Sequence, residues 1–190
     1  MIGFSTKPLK ILDFDIEMRP LGWLGGDYVH SEVTAIASCW DGYPESIVCP
    51  TITKRVGSEV AMLKSFVQRY NQADIVTGHY IRNFDLPSIN AALMEFDLEP
   101  LGEKFTIDTK NDHKKARSVS KSQENLGYQY GLDAPKVHMN AGRWREANRL
   151  TPEGIEFMKE RAMGDVIQHM ELRAAMTDAG VLNPGKVWRP

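Results

Sequence analysis

Asp15 and Glu17 are separated only by Ile16, at the end of an apolar segment that also contains Ile11, Leu12 and Phe14. Residues i and i+2 of a strand point to the same face, so both carboxylates project together. Two like charges held side by side are costly unless something neutralises them. Hard oxygen donors of this kind suit Mg²⁺ or Mn²⁺. The alternative chemistry is plain solvation of both acids at a fraying strand end.

Two further groups follow. GHYIRNFDLP at residues 78–87 carries Asp85 in a crossover from strand to helix, a place from which side chains face a site at the sheet edge. The same Asp85 reads equally as a helix N-cap, because Pro87 and an apolar stripe come after it. The third group lies in FMKERAMGDVIQHMELR, where Arg161, Asp165 and His169 recur at helical spacing on one face. As an isolated pair, Arg161 and Asp165 would be a surface i,i+4 ion pair worth a few tenths of a kcal/mol. Cys39 and Cys49 have no Cys or His partners at metal-ligand spacing, which argues against both zinc and a disulfide framework.

The elements that must position these groups are legible. Residues 10–16 (KILDFDI), bounded by Pro8 and Pro20, read as a buried strand, and residues 18–31 as a long loop rich in Gly. Strands follow at 32–40 and 45–49, joined by a turn at 41–44, as an antiparallel hairpin. A helix begins at Ser58, its expected N-cap, with Val60, Leu63, Phe66, Val67 and Tyr70 on one face. Residues 74–78 and 104–108 read as short strands flanking a helix at 86–96, and 122–132 as a short helix. Thr151 and Pro152 open a last long helix reaching about Asp178, ended by Gly180. The tail from 181 to 190 reads as loosely held. A hairpin entering a βαβ-like half is an α/β layered sheet with helices on its faces.

Length and composition bound the rest. A chain of 190 residues fits one domain, assigned to 1–180 with the tail at 181–190. The net charge of −2 excludes a histone-like basic binder but not a local basic groove, and 42% hydrophobic residues exclude extensive disorder. No apolar run is long enough to span a membrane and no secretory signal is visible, so the expected location is the cytoplasm.

FDIE, then GHYIRNFDLP, then GDV on a C-terminal helix together resemble the DEDD (DnaQ-like) 3′–5′ exonuclease superfamily. The middle motif is most similar to the Gly-Tyr-Asn-x-x-x-Phe-Asp pattern of the proofreading exonuclease domains of family B DNA polymerases. The resemblance covers about residues 10–169 and implies a ribonuclease H-like α/β fold: a mixed sheet, with an antiparallel hairpin plus parallel strands, flanked by helices. It implies four metal carboxylates, Asp15, Glu17, Asp85 and Asp165, holding two divalent cations, Mg²⁺ or Mn²⁺, about 4 Å apart for in-line displacement at phosphorus. The implied product is a nucleoside 5′-monophosphate from a 3′ end.

The chain departs from that pattern twice. The family's water-orienting Tyr, four residues before the last Asp, is Arg161 here, and its alternative His, five before, is Glu160. Arg161 cannot act as a base but can bind phosphate bidentately, and His169 is the other candidate for the base role. Tyr80 stands where the polymerase pattern has Asn. Asp108 resembles an Asp-Thr pair that supports such sites, or is a simple turn residue.

Substrate-facing candidates are Trp23 and Leu24 in the loop after the first motif, with Gly25 and Gly26 to let it close, and Tyr80, Asn83 and Phe84 beside Asp85. The basic stretch of residues 110–121, with Lys114, Lys115 and Arg117, and the cluster Arg143, Trp144 and Arg145 suit phosphates and stacked bases. Each has a blander alternative, a solvated loop in one case and Trp144 packed under the last helix in the other. The expected partner is single-stranded DNA, with RNA as the alternative, and proofreading would require a replication or repair partner in trans. The rival outcomes are an exoribonuclease or oligonucleotide trimmer, and a non-cleaving protein that binds nucleic acid or a polymerase.

Overall fold

The computed structural model describes residues 7–21, 31–114, 119–132 and 137–190. Its strands are β1 (Ile11–Pro20), β2 (Ser31–Trp40), β3 (Tyr43–Val48), β4 (Ile75–Gly78), β5 (Lys104–Asp108) and β6 (Lys186–Trp188). Its helices are α1 (Ser58–Gln72), α2 (Asp85–Glu95), α3 (Gln123–Gln129), α4 (Ala141–Asn148) and α5 (Pro152–Asp178). The strands form one sheet in the order β3-β2-β1-β4-β5-β6. β4 is parallel to both β1 and β5, whereas β1–β2, β2–β3 and β5–β6 are antiparallel. This is the expected mixed α/β sheet, a hairpin followed by parallel crossovers.

β1 has two chemically opposite faces. Leu12, Phe14 and Ile16 enter the main core with Leu63, Phe66 and Tyr70 of α1 and Ile89 and Leu93 of α2. The Phe14 and Phe66 rings lie 5.0 Å apart between centroids. The alternate residues Asp13, Asp15 and Glu17 face α5. Beside them in register on β2 stand Cys39, Ala37 and Ala35, small enough for α5 to lie close. Ala37 and Cys39 pack with Ala162 and Val166 of α5 in a second apolar cluster. α5 begins as expected, with Pro152 in its first turn and the Thr151 hydroxyl accepting from the Gly154 N–H.

Four expectations change. β1 does not stop near Ile16: Met18, Arg19 and Pro20 pair with Val33, Glu32 and Ser31 of β2, so 18–20 are strand rather than loop. A two-residue alternation ending in Arg-Pro gave no sign of this, because Pro is tolerated at a strand terminus. Ser58 does not cap α1; Gly57, at φ 81°, precedes the helix, and the Ser58 hydroxyl instead joins the Thr53 backbone. α4 was not anticipated, since its sequence AGRWREAN has only Trp144 and Ala147 to mark an inner face. It is capped by Asn140 and lies so close to α5 that a Cβ on Gly154 would fall 2.2 Å from the Glu146 carbonyl.

The fourth change is the tail, which is not loose. β6 adds an edge strand against β5, with Thr106 opposite Lys186, and the Thr106 hydroxyl donates to the Lys186 carbonyl at 2.7 Å. Trp188 is only 8% exposed and belongs to the main core. Replacing Trp188 with Ala is expected to lower stability by about 3 kcal/mol, the scale for deleting a buried aromatic. Urea denaturation of the two proteins measures it, and a change under about 0.5 kcal/mol, the range of an ordinary surface substitution, would show the tail to be peripheral.

Candidate active site

The site is built where β1 crosses α5. A two-residue step along a strand covers about 6.6 Å and a four-residue step along a helix about 6 Å, so the two can stay in register. Asp13, Asp15 and Glu17 therefore meet residues four apart on α5. At one end Arg161 Nε contacts Glu17 Oε1 at 2.5 Å. At the other, His169 Nδ1 lies 3.0 Å from Asp13 Oδ1, and Arg173 grips the same carboxylate through Nε and Nη2 at 3.2 and 3.1 Å. In the middle Asp165 meets Asp15, acid against acid. Asp15, Glu17 and Asp165 each offer an oxygen, and these oxygens lie within 4.8 Å of one another.

Neither acid of the first motif is at a fraying end. Glu17 is buried and Asp15 partly so, and a bulge in β2 next to Glu17 is fixed by the Thr34 hydroxyl donating to the Glu17 carbonyl at 3.0 Å. Asp85 is not an N-cap but the first residue of α2, after Phe84, and is 3% exposed. β1 runs on beyond the last residue that pairs with β4, and there the Asp85 carboxylate accepts the Ile16 backbone N–H. Burial pushes the Asp85 carboxyl up to about 7, with the Asp108 and Glu17 charges adding and its backbone hydrogen bonds opposing. Asp15 is held well above the ordinary carboxylate range, first by burial and then by the charges of Asp85, Asp165 and Glu17.

A family model for the exonuclease domain of family B DNA polymerases matches residues 4–130. The chain belongs to that exonuclease-domain family. Among solved structures it is similar to the family B DNA polymerase of the hyperthermophilic archaeon Pyrobaculum calidifontis, with a TM-score of 0.66 at 15% identity. The match covers 90% of this chain and 25% of that polymerase, so the likeness shows the ribonuclease H-like fold and spans a quarter of the larger protein. No curated protein matches the chain in sequence.

An exonuclease domain of this family works with divalent metals, and the residues present fit them. The donor set is all oxygen, anionic and partly desolvated, which suits a hard cation and relieves the repulsion on Asp15. Asp85 stands next to this triad as a charge acting on Asp15 rather than as a member of the 4.8 Å group.

The two departures of the family pattern acquire a structure. Arg161 also reaches Asp165 Oδ2 at 3.5 Å, donates to the Val137 carbonyl at 3.0 Å and lies over the Trp144 ring at 5.4 Å. It is therefore no surface ion pair. His169 is 2% exposed and bonded through Nδ1 to Asp13, not to the acidic triad. Tyr80 adopts φ 75°, the left-handed region that Asn enters more readily than Tyr. The strained backbone is fixed by Asp108, which is fully buried and accepts from the N–H groups of Tyr80, Arg82, Lys110 and Asn111 and from the Asn111 side chain. Arg82 in turn forks onto Asp112, whose Oδ2 also accepts the Asp108 N–H. So Asp108 supports the site by holding the loop that delivers Asp85. Gly78 permits that loop to start: a Cβ there would fall 2.3 Å from the Ile81 side chain.

Candidate substrate-facing residues distribute unevenly. Phe84 and Tyr80 are exposed next to Asp85, with Lys110 Nζ 3.9 Å from the Tyr80 ring centroid, and Asn83 accepts from Asn111 at 2.6 Å. Trp144 is half-buried against the main core and touches Arg161, while Arg143 lies over Phe157. Arg145 joins Trp144, Asn148, Arg149 and Pro20 around a cavity of about 750 Å³. Lys114 is tied to the end of α5 through the Gly180 and Val181 carbonyls. Trp23, Leu24, Lys115 and Arg117 lie outside the described residues.

Sequence reasoning missed Asp13, Arg173, Arg82 and Asp112. The signal for Asp13 was present, as a third acid two residues before Asp15. Arg173 likewise continues the Arg161–Asp165–His169 spacing.

Two outcomes follow from this geometry. Asp108→Ala removes the acceptor for five hydrogen bonds and is expected to cost about 3 kcal/mol, with loss of activity through Asp85, measured by denaturation and by a nuclease assay. His79 sits between the Lys121 carbonyl and the Thr109 hydroxyl, and burial pushes its imidazole down to about 4. Its neutral form is therefore favoured by folding. The contribution is complete above the ordinary value near 6.5 and is lost as pH falls through about 4. The stability difference between the native protein and His79→Gln is expected to shrink from pH 7 to pH 4; a difference independent of pH would contradict it.

Proposed function

We propose that this chain is a metal-dependent 3′–5′ exonuclease acting on single-stranded DNA. The observation that carries the reading is the convergence of Asp15, Glu17 and Asp165, from β1 and α5, on one point of an exonuclease-family fold. In this reading Asp15, Glu17, Asp85 and Asp165 would hold two Mg²⁺ or Mn²⁺ ions, whose chemistry there would be activation of water and neutralisation of charge on the leaving oxygen.

The chain's own residues do the rest. Asp108 fixes the loop so that Asp85 is presented at the edge of β1. Phe84 and Tyr80 offer exposed rings for terminal bases, and Lys110 adds a cation beside them. Trp144, Arg145 and Arg149 line a second face suited to a base and its phosphate. Arg161 sets a fixed positive charge against Glu17 and Asp165 of the acidic group. His169 keeps Asp13 and the middle of α5 in place, a positioning role. A polymerase or repair partner and a cytoplasmic setting belong to the same proposal.

The Arg161–Glu17 contact favours one other reading, a family member that binds nucleic acid without cutting it. A 5′-labelled single-stranded DNA oligonucleotide incubated with Mn²⁺, Mg²⁺ or EDTA separates the two. Metal-dependent shortening from the 3′ end is expected, reduced by at least about a hundredfold in Asp15→Ala. Binding without cleavage under either metal would establish the second reading instead, and degradation of RNA in preference to DNA would move the substrate to the ribonucleotide class.

A further inference from the structure

Arg161 is gripped from four directions. The Val137 carbonyl accepts from Nη1 at 3.0 Å, the Trp144 ring lies 5.4 Å from the guanidinium carbon, Glu17 takes Nε at 2.5 Å and Asp165 faces Nη2 at 3.5 Å. Its side chain is 17% exposed. Two of the three carboxylates that offer oxygens within 4.8 Å of one another are thus already bridged by a fixed positive charge. A carboxylate paired with a fixed guanidinium charge is a poorer ligand for a cation, because the guanidinium repels the incoming ion. Arg cannot relieve this by losing its proton.

The same device appears further down the crossing, where its purpose is different. There Arg173 and His169 close on Asp13, which is completely buried, and the charge is sealed away. Arg161 stands instead against Glu17 and Asp165, two of the carboxylates that offer oxygens to a metal.

We propose that Arg161 is a built-in counter-ion that competes with one of the two divalent ions for Glu17 and Asp165. It holds these acids together before metal arrives and weakens the second ion's binding, so this exonuclease loads one ion readily and the other only against Arg161. The inference rests on the exonuclease reading and adds to it a control on metal loading located in one residue.

The test is a Mn²⁺ titration of the metal-free, substrate-free protein, with free Mn²⁺ counted by its electron paramagnetic resonance signal. Arg161→Gln is expected to bind the weaker ion about tenfold more tightly than the native protein, the scale on which neighbours of ligands tune metal sites. Lys159→Gln removes the same charge from the same helix, but Lys159 pairs with Glu156 at 2.8 Å, so Mn²⁺ affinity is expected to stay within about twofold. If Arg161→Gln does not fold, Arg161→Met serves, since it keeps an apolar stem against Trp144 and removes the charge; tighter binding of the weaker ion is again expected.

Equal or weaker Mn²⁺ binding in the Arg161 variants, or equal tightening in Lys159→Gln, overturns the proposal. If such a result accompanies metal-dependent degradation of the oligonucleotide, the exonuclease reading survives and only the role of Arg161 fails. If neither the native protein nor Arg161→Gln binds Mn²⁺ or degrades the oligonucleotide, both readings fail together.

Discussion

Three acids on one face of a single strand impose the constraint around which this molecule is arranged. Asp13, Asp15 and Glu17 point toward α5, and the sheet offers them only the small side chains of Cys39, Ala37 and Ala35 as neighbours. Uncompensated, such a row would not tolerate burial. The compensation comes from α5, whose four-residue spacing tracks the two-residue spacing of β1. Cationic side chains answer the acid at either end, and at the centre the helix adds a fourth acid. Charge is thus balanced where the fold needs stability and concentrated where chemistry needs a cation.

The second support of the site is a loop held against its own preference. Tyr80 takes a left-handed backbone, and the segment between Gly78 and Asp85 has no regular pairing of its own to enforce it. Asp108, at the end of β5, supplies that enforcement through a set of N–H groups, and Arg82 and Asp112 lock Asp108 in turn. Because β4 and β5 are parallel neighbours, their ends lie together and the loop from one can be held by the acid of the other. Precision at Asp85 is therefore inherited from strand register rather than from the loop sequence. α4 plays the comparable part on the other side, placing Trp144 under Arg161 by close packing at Gly154.

Membership of the polymerase exonuclease family coexists with an arginine, Arg161, set against the acidic group of Asp15, Glu17 and Asp165. The structure gives that arginine definite contacts: a carbonyl, an indole and two carboxylates. A tyrosine at this position could accept or give up a proton; an arginine can only neutralise and donate.

The sequence by itself determined the periodic elements and the acids: the strand faces, the last helix with its Thr151–Pro152 start, the three acidic motifs and their order. These are local properties, written in two-residue and four-residue spacing. It also contained Asp13 and Arg173, but nothing local distinguishes a buried carboxylate held by an arginine and a histidine from a solvated one. Only the tertiary structure decided that β1 extends to Pro20, that the tail forms β6 around Trp188 and that residues 141–148 are helical. Each of these depends on a partner far away in the chain: β2, β5 and α5 respectively. The same reason applies to Arg161, whose neighbour Asp165 is visible in the helix spacing while Glu17, Val137 and Trp144 are brought to it by the fold alone.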